Sequence, residues 1–143
     1  MTVRGKELEA ANKPPYFAKM AEHFQNHIQQ GDWLAAYVVA FSFLEDRVGA
    51  LYAERCRVDS EVEARTSLKK KVNALEQAGD VEAELANRCR AKVQERNDLL
   101  HNAMWNLDGF TQEAAHQVER AARDMNNARE RQARAFGSST ATR

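Results

Sequence analysis

Glycine and proline are scarce in this chain, six and two among 143 residues. Helix formers fill the places that turn formers would occupy, so the expected fold class is all-α. Cysteine is limited to Cys56 and Cys89, far apart and with no CxxC partner. That excludes a disulfide framework and reads as two free thiols, buried or half-buried, in a reducing cytoplasm. Charge of one sign is lacking too: 21 Lys and Arg balance 21 Asp and Glu. Without a global basic field, tight nonspecific binding to duplex DNA is not indicated. No apolar run approaches the ~18 residues of a membrane span, and the N-terminus has no basic-apolar-small leader pattern. No membrane association and a cytoplasmic location are expected.

What is present is the balance of a soluble globular protein, 43% hydrophobic and 29% charged, in a length that suits one domain with one core. Residues 1–14 read as a polar N-terminal arm, 15–136 as a helical bundle and 137–143 as a flexible tail. Pro15 suits a first helical turn, and Phe17, Met20, Phe24 and Ile28 recur at helical spacing after it. Gly31 fits past the end of that helix and Asp32 fits the N-cap of the next. The second helix, from Trp33 to about Arg57, carries Leu34, Tyr37, Phe41, Val48 and Tyr52 on one stripe, with Val39 and Phe43 nearly opposite. A helix apolar on two sides is either central in its own bundle or pressed against a second subunit. The polar stretch after it reads as a loop running into a short helix, with Leu68, Val72 and Leu75 inward. Gly79 ends that helix and Asp80 is expected to cap a fourth, from Val81 to about Leu107. A turn at Leu107–Phe110 leads into a fifth, ending near Phe136. The expected architecture is an antiparallel up-and-down bundle of four to five helices.

One stretch of the fourth helix, Glu95 to Trp105, sets Arg96, Asn97 and His101 within a little over a turn. At ~100° per residue, Leu100, Met104 and Leu107 fall within about 40° of Val93 and form an apolar seam. Arg96 lies to one side of that seam and His101 to the other, about 140° apart. Asn97 and His101 are four apart and can touch. Across a two-fold axis along the seam, two copies of the chain bring both pairs into one cleft. Such a cleft suits phosphodiester cleavage. An imidazole takes a proton from a ribose 2′-hydroxyl, and a guanidinium binds the phosphate and its developing charge. The asparagine amide fixes the ring or holds a phosphate oxygen, and the chemistry needs no metal or other cofactor. The plainer alternative is a solvated helix edge with a surface histidine.

Arg96-Asn97-Asp98-Leu99-Leu100-His101 resembles the R-N-x-x-x-H signature of HEPN domains, small all-helical domains of nucleic-acid and defence systems. The similarity covers roughly Trp33 to Trp105, and the acidic Leu44–Arg47 segment of an earlier helix is in keeping with it. The resemblance implies a HEPN-like metal-independent endoribonuclease that leaves 2′,3′-cyclic phosphate and 5′-hydroxyl ends, with Arg96, Asn97 and His101 as active residues. It also implies a homodimer with a composite site, an RNA substrate, and a toxin or antiviral-defence setting in which a protein antitoxin or regulator acts as partner. Some members have lost activity, so the alternative is a silent helical dimer that binds a protein or a nucleotide.

Other residues admit two readings each. Glu45 lies on the apolar stripe of the second helix and needs a cationic partner. It either orients Arg96 or forms a structural ion pair with another arginine. Asp46 points elsewhere, to solvent or toward a partner subunit. His23 and His27 have metal-ligand spacing but no evident third ligand, and read as surface histidines. Asp98 with His101, and Glu113 with His116, resemble half of a di-iron bundle site, with Glu45 the plausible extra ligand. Arg120, Arg123, Arg129, Arg131 and Arg134 make the last helix mildly basic. That face either guides RNA or is simply solvated. Trp33, Tyr37 and Trp105 are expected in the core.

Overall fold

The computed structural model describes residues 14–102 and 107–141, with the side chains of 16–102 and 107–130. The arm before Pro14, together with Met104 and Trp105, lies outside the described residues. All regular structure among these residues is helical: α1 (Pro14–Gln29), α2 (Trp33–Arg55), α3 (Ser60–Arg65), α4 (Leu68–Gln77), α5 (Ala83–Asn102) and α6 (Gln112–Ala141). The all-α expectation therefore holds, with six helices where four to five were expected. The additional one is α3, in the stretch read as a loop. Asp59 starts it by accepting from the Val62 amide at 2.9 Å, and Ser67 starts α4 by accepting from Lys70 N at 3.3 Å.

Helix ends follow local chemistry. Gly31 donates to Ile28 O and Asp32 N to His27 O; Gly79 donates to Glu76 O and Asp80 N to Leu75 O. Both are paired C-terminal closures that place a residue in the left-handed region, and both glycines take it, at φ +70 and +79. Asp32 then also caps α2, accepting from Ala35 N at 3.1 Å. Asp80 does not cap the following helix as expected. It belongs to the closure of α4, and α5 begins only at Ala83. At the end of α2, Arg57 takes φ +54 without being glycine, so the helix stops at Arg55 instead of Arg57. The fifth long element runs past the expected stop at Phe136 to Ala141, because adding a residue to an existing helix adds a hydrogen bond without a new nucleation cost.

α2 is central. It packs against α1, α3, α4 and α6, while α5 packs on α4 and α6. Its two apolar sides are thus covered within the chain: Tyr37, Leu44, Val48 and Leu51 are at most 1% exposed. The facing surface of α6 is small, with Ala114, Ala115, Ala121, Ala122 and Ala128 buried beside Val118 and Met125. Small side chains let two helix axes approach closely, which explains why α2 and α6 share the largest contact. Glu63 and Lys71 form a buried ion pair between α3 and α4. Among the described residues, no helix is long and apolar enough to cross a membrane.

Candidate functional site

The inward face of α5 runs through Leu85, Cys89 and Arg96, which lie within about 40° of each other at ~100° per residue. Leu85 and Cys89 are buried and Val93 and Leu99 pack against the core. Leu100, by contrast, is 56% exposed, and Leu107 is out of the helix and 54% exposed. Val93 of the expected seam packs against the core, but its far end, Leu100 and Leu107, is not buried. The α4 and α6 contacts hold the early part of the helix, at Arg88 and Arg90, and Leu100, only about 20° from the direction of Cys89, lies past them at its open far end.

Arg96 shares the inward direction of Leu85 and Cys89. Its guanidinium carbon lies 4.3 Å from the centre of the Phe41 ring, and Nη1 lies 3.3 Å from Glu45 Oε1. Phe41 and Glu45 are four apart on α2, so one face of that helix supplies both a π-surface and a carboxylate. Nη2 reaches Asn97 Oδ1 at 3.5 Å, and Nε is buried without a hydrogen-bond partner among the described residues. Glu45 thus meets Arg96, as one of its two readings expects. Asp46 faces the other side of α2, half-buried, and accepts from the Tyr16 hydroxyl.

A second polar pair sits one turn back. The Tyr37 hydroxyl donates to Glu95 Oε1 at 3.0 Å, and Lys92 Nζ reaches both Glu95 oxygens at 3.2 and 3.1 Å and also donates to Gln117. Burial raises the Tyr37 phenol well above its usual range, with the Glu95 charge adding to it. α2 is therefore bridged to the second half of α5 by the Tyr37–Glu95 and Glu45–Arg96 pairs. Glu95 and Lys92 escaped the reading of the sequence, and Phe41 and Tyr37 were read only as apolar residues; the Phe41–Glu45 spacing was the signal for Phe41.

His101 is exposed, as are Asn97 and Asp98. Among the described residues, His101 makes no hydrogen bond or ion pair. Within one chain the structure brings together Arg96, Asn97, Glu45 and Phe41, and leaves His101 on the outer side of the same helix. The α6 arginines whose side chains are described are each accompanied: Arg120 by Glu113 at 3.6 Å and by His116 O at 3.4 Å, Arg123 by Glu119, and Arg129 by Glu54 at 2.8 Å. The side chains of Arg131 and Arg134 lie outside the described residues. His116 stands edge-on to Phe24, ring centres 5.4 Å apart, and His27 is half-buried. Among the described residues, no three His, Cys, Asp or Glu side chains cluster as metal ligands would. Cys89 is buried and Cys56 half-buried, both as free thiols. No protein-family model matches the chain, and no curated protein or solved structure is detectably similar to it.

Proposed function

We propose that this protein is a HEPN-like, metal-independent endoribonuclease that acts as a homodimer. The observation that carries the reading is the seating of Arg96. Its guanidinium is held by the Phe41 ring and Glu45 and lies next to Asn97, so it is oriented before any substrate arrives. In the proposed reaction the ribose 2′-oxygen attacks the adjacent phosphorus. The 2′-O–P bond forms and the P–O5′ bond breaks, leaving a 2′,3′-cyclic phosphate and a 5′-hydroxyl. One His101 accepts the 2′-hydroxyl proton, and its counterpart on the second subunit gives a proton to the departing 5′-oxygen. Arg96 clamps the phosphate and stabilises its added charge, and Asn97 orients the arginine or a phosphate oxygen.

The test is incubation of the purified protein with total RNA in the presence of a chelator, beside His101→Ala and Arg96→Lys. We expect the wild type to cut and each variant to lose about 100-fold or more. Arg96→Lys keeps the charge but not the planar fork. If wild type and variants alike leave RNA intact, the enzyme reading fails. A second reading, a silent dimeric module that binds a protein or nucleotide, draws on the exposure of Leu34, Val38, Leu100 and Leu107. Uncut RNA together with a stable dimer favours it.

A further inference from the structure

α1 packs on α2 and meets α6 where Phe24 stands against His116, and beside that contact a cleft of about 370 Å³ lies between α1, α2 and α6. Its two walls are chemically unlike. α1 and α2 line it with Phe17, Phe24 and Phe43, whereas α6 lines it with Glu119, Arg123 and Asn126. Close-packed interiors do not set rings against carboxylates and amides without a partner for the polar side. Glu119 is only 8% exposed, and the cation that meets it, Arg123, has a side chain 58% exposed to solvent. Asn126 Oδ1 is buried with no hydrogen-bond partner among the described residues. The polar wall therefore offers the Glu119 carboxylate, met by Arg123, and one buried amide oxygen without a partner.

We infer that this cleft binds an organic ammonium ion: an apolar or aromatic body bearing a primary amine. An ammonium brings three donors and no acceptor, which matches Glu119 and Asn126. Phe24 and Phe43 are already covered, at 2% and 9% exposed, and Arg47 lies 4.7 Å from the Phe17 ring centre. The apolar body therefore rests on the half-buried Phe17, Met20 and Val39 and removes their remaining surface from water. The volume falls within the range of about 300–1,000 Å³ typical of small-molecule sites. An anion meets a buried carboxylate here, and an aliphatic chain strands Asn126 Oδ1; both are disfavoured. Arg123 holds the ammonium's place at Glu119 and competes with it. This site lies on the α1–α6 side, away from Arg96, and is independent of the proposed cleavage activity.

The same ammonium chemistry is carried by a free amine or by a lysine side chain of a peptide, and the test separates them. Backbone amide NMR shifts are followed as 2-phenylethylamine, phenylacetate, 2-phenylethanol, Gly-Lys-Gly or its Nε-acetylated form is added, up to about 10 mM, a range that captures affinities weaker than millimolar. We expect saturable shifts confined to α1, α2 and α6 with the phenylethylamine and not with its anionic or neutral analogues. Binding of Gly-Lys-Gly but not of the acetylated peptide assigns the ammonium to a protein side chain; binding of the amine alone assigns it to a small molecule. Glu119→Gln and Asn126→Leu should each weaken the amine about tenfold, and Arg123→Ala should tighten it several-fold by removing the internal competitor. Where Glu119→Gln does not fold, as judged by thermal unfolding, Asn126→Leu and Arg123→Ala decide. Absence of saturable shifts, equal response to phenylacetate, or an Arg123→Ala variant that binds no better overturns the inference.

Discussion

Arg96 lies where α5 would otherwise carry an apolar side chain, and Phe41 and Glu45 make that position tolerable for a guanidinium. With its side chain 30% exposed, the ion pair itself contributes little; the stacked ring supplies the rest, of order 0.5–2 kcal/mol. Phe41→Leu should therefore lower stability by about 1–2 kcal/mol and loosen the guanidinium, seen as a broadened Arg96 Nε–H resonance. Tyr37 gives a pH prediction. Its phenol is held protonated by burial first and by Glu95 second, so its folded-state pKa lies above the ordinary 10.0 of a tyrosine. A raised acid of this kind leaves stability intact below pH 10 and removes it as pH climbs beyond, because only the unfolded chain releases the proton readily. Tyr37→Phe should cost about 1 kcal/mol at neutral pH, for the lost hydrogen bond to Glu95, and flatten the alkaline loss in urea titrations. Burial also pushes the Cys89 thiol up to about 12, and Cys56 is raised for the same reason. Few thiolates exist at neutral pH, so native protein should react slowly with iodoacetamide, Cys56 ahead of Cys89.

The ends of the helices report how sharply local chemistry acts. Gly79 sits at φ +79 with nothing near the position of an added Cβ, so Gly79→Ala tests backbone strain alone and should cost about 1–2 kcal/mol in urea unfolding. Arg57 is the mirror case. It holds φ +54 with a side chain, and Arg57→Gly should stabilise by about 0.5–1 kcal/mol, once the greater unfolded freedom of glycine is offset. A neutral or destabilising result means that Arg57 is held by more than its backbone. Glu63 and Lys71, fully and nearly fully buried between α3 and α4, behave differently. Lys71→Met alone takes the ammonium away from the buried Glu63 carboxylate and should cost about 3–5 kcal/mol, whereas Glu63→Leu with Lys71→Met should recover much of it.

For the molecule as a whole, the open questions concern surfaces. The core closes on α2 within a single chain, so a second subunit is not required to cover that helix. Leu34 and Val38 on α2 and Leu100 on α5 remain outward, at 38%, 52% and 56% exposed. In the proposed dimer they are the apolar surface available for contact, and Leu100→Glu should shift sedimentation toward the monomer and reduce RNA cleavage together. A variant that stays dimeric and active moves the subunit contact elsewhere. Because Arg96 and His101 lie about 140° apart on one helix, cleavage without association would leave the proposed composite site without a basis.

Much was legible before any coordinates. Scarce glycine and proline with 3.6-residue periodicity determine an all-helical chain, because these signals act within a turn or two. Gly31, Asp32 and Gly79 mark boundaries for the same local reason, and the two-sided apolarity of Trp33–Arg55 marks the helix that must be enclosed. The stretch Ser60–Arg65 was missed because its polar surface hides a single inward carboxylate, Glu63, whose partner Lys71 is brought near only by the angle between two helices. Asp80 was misassigned because the residue that follows a closing glycine can serve either the helix behind it or the one ahead, as Asp32 serves both. What tertiary structure alone decided is how far along α5 its inward face stays covered. Leu85, Cys89, Leu100 and Leu107 lie within about 60° of one another at ~100° per residue, so periodicity marks a single face along the whole stretch. Contacts from α4 and α6 cover its early part, α2 meets Arg96 with Phe41 and Glu45, and Leu100 and His101 beyond them are left in water.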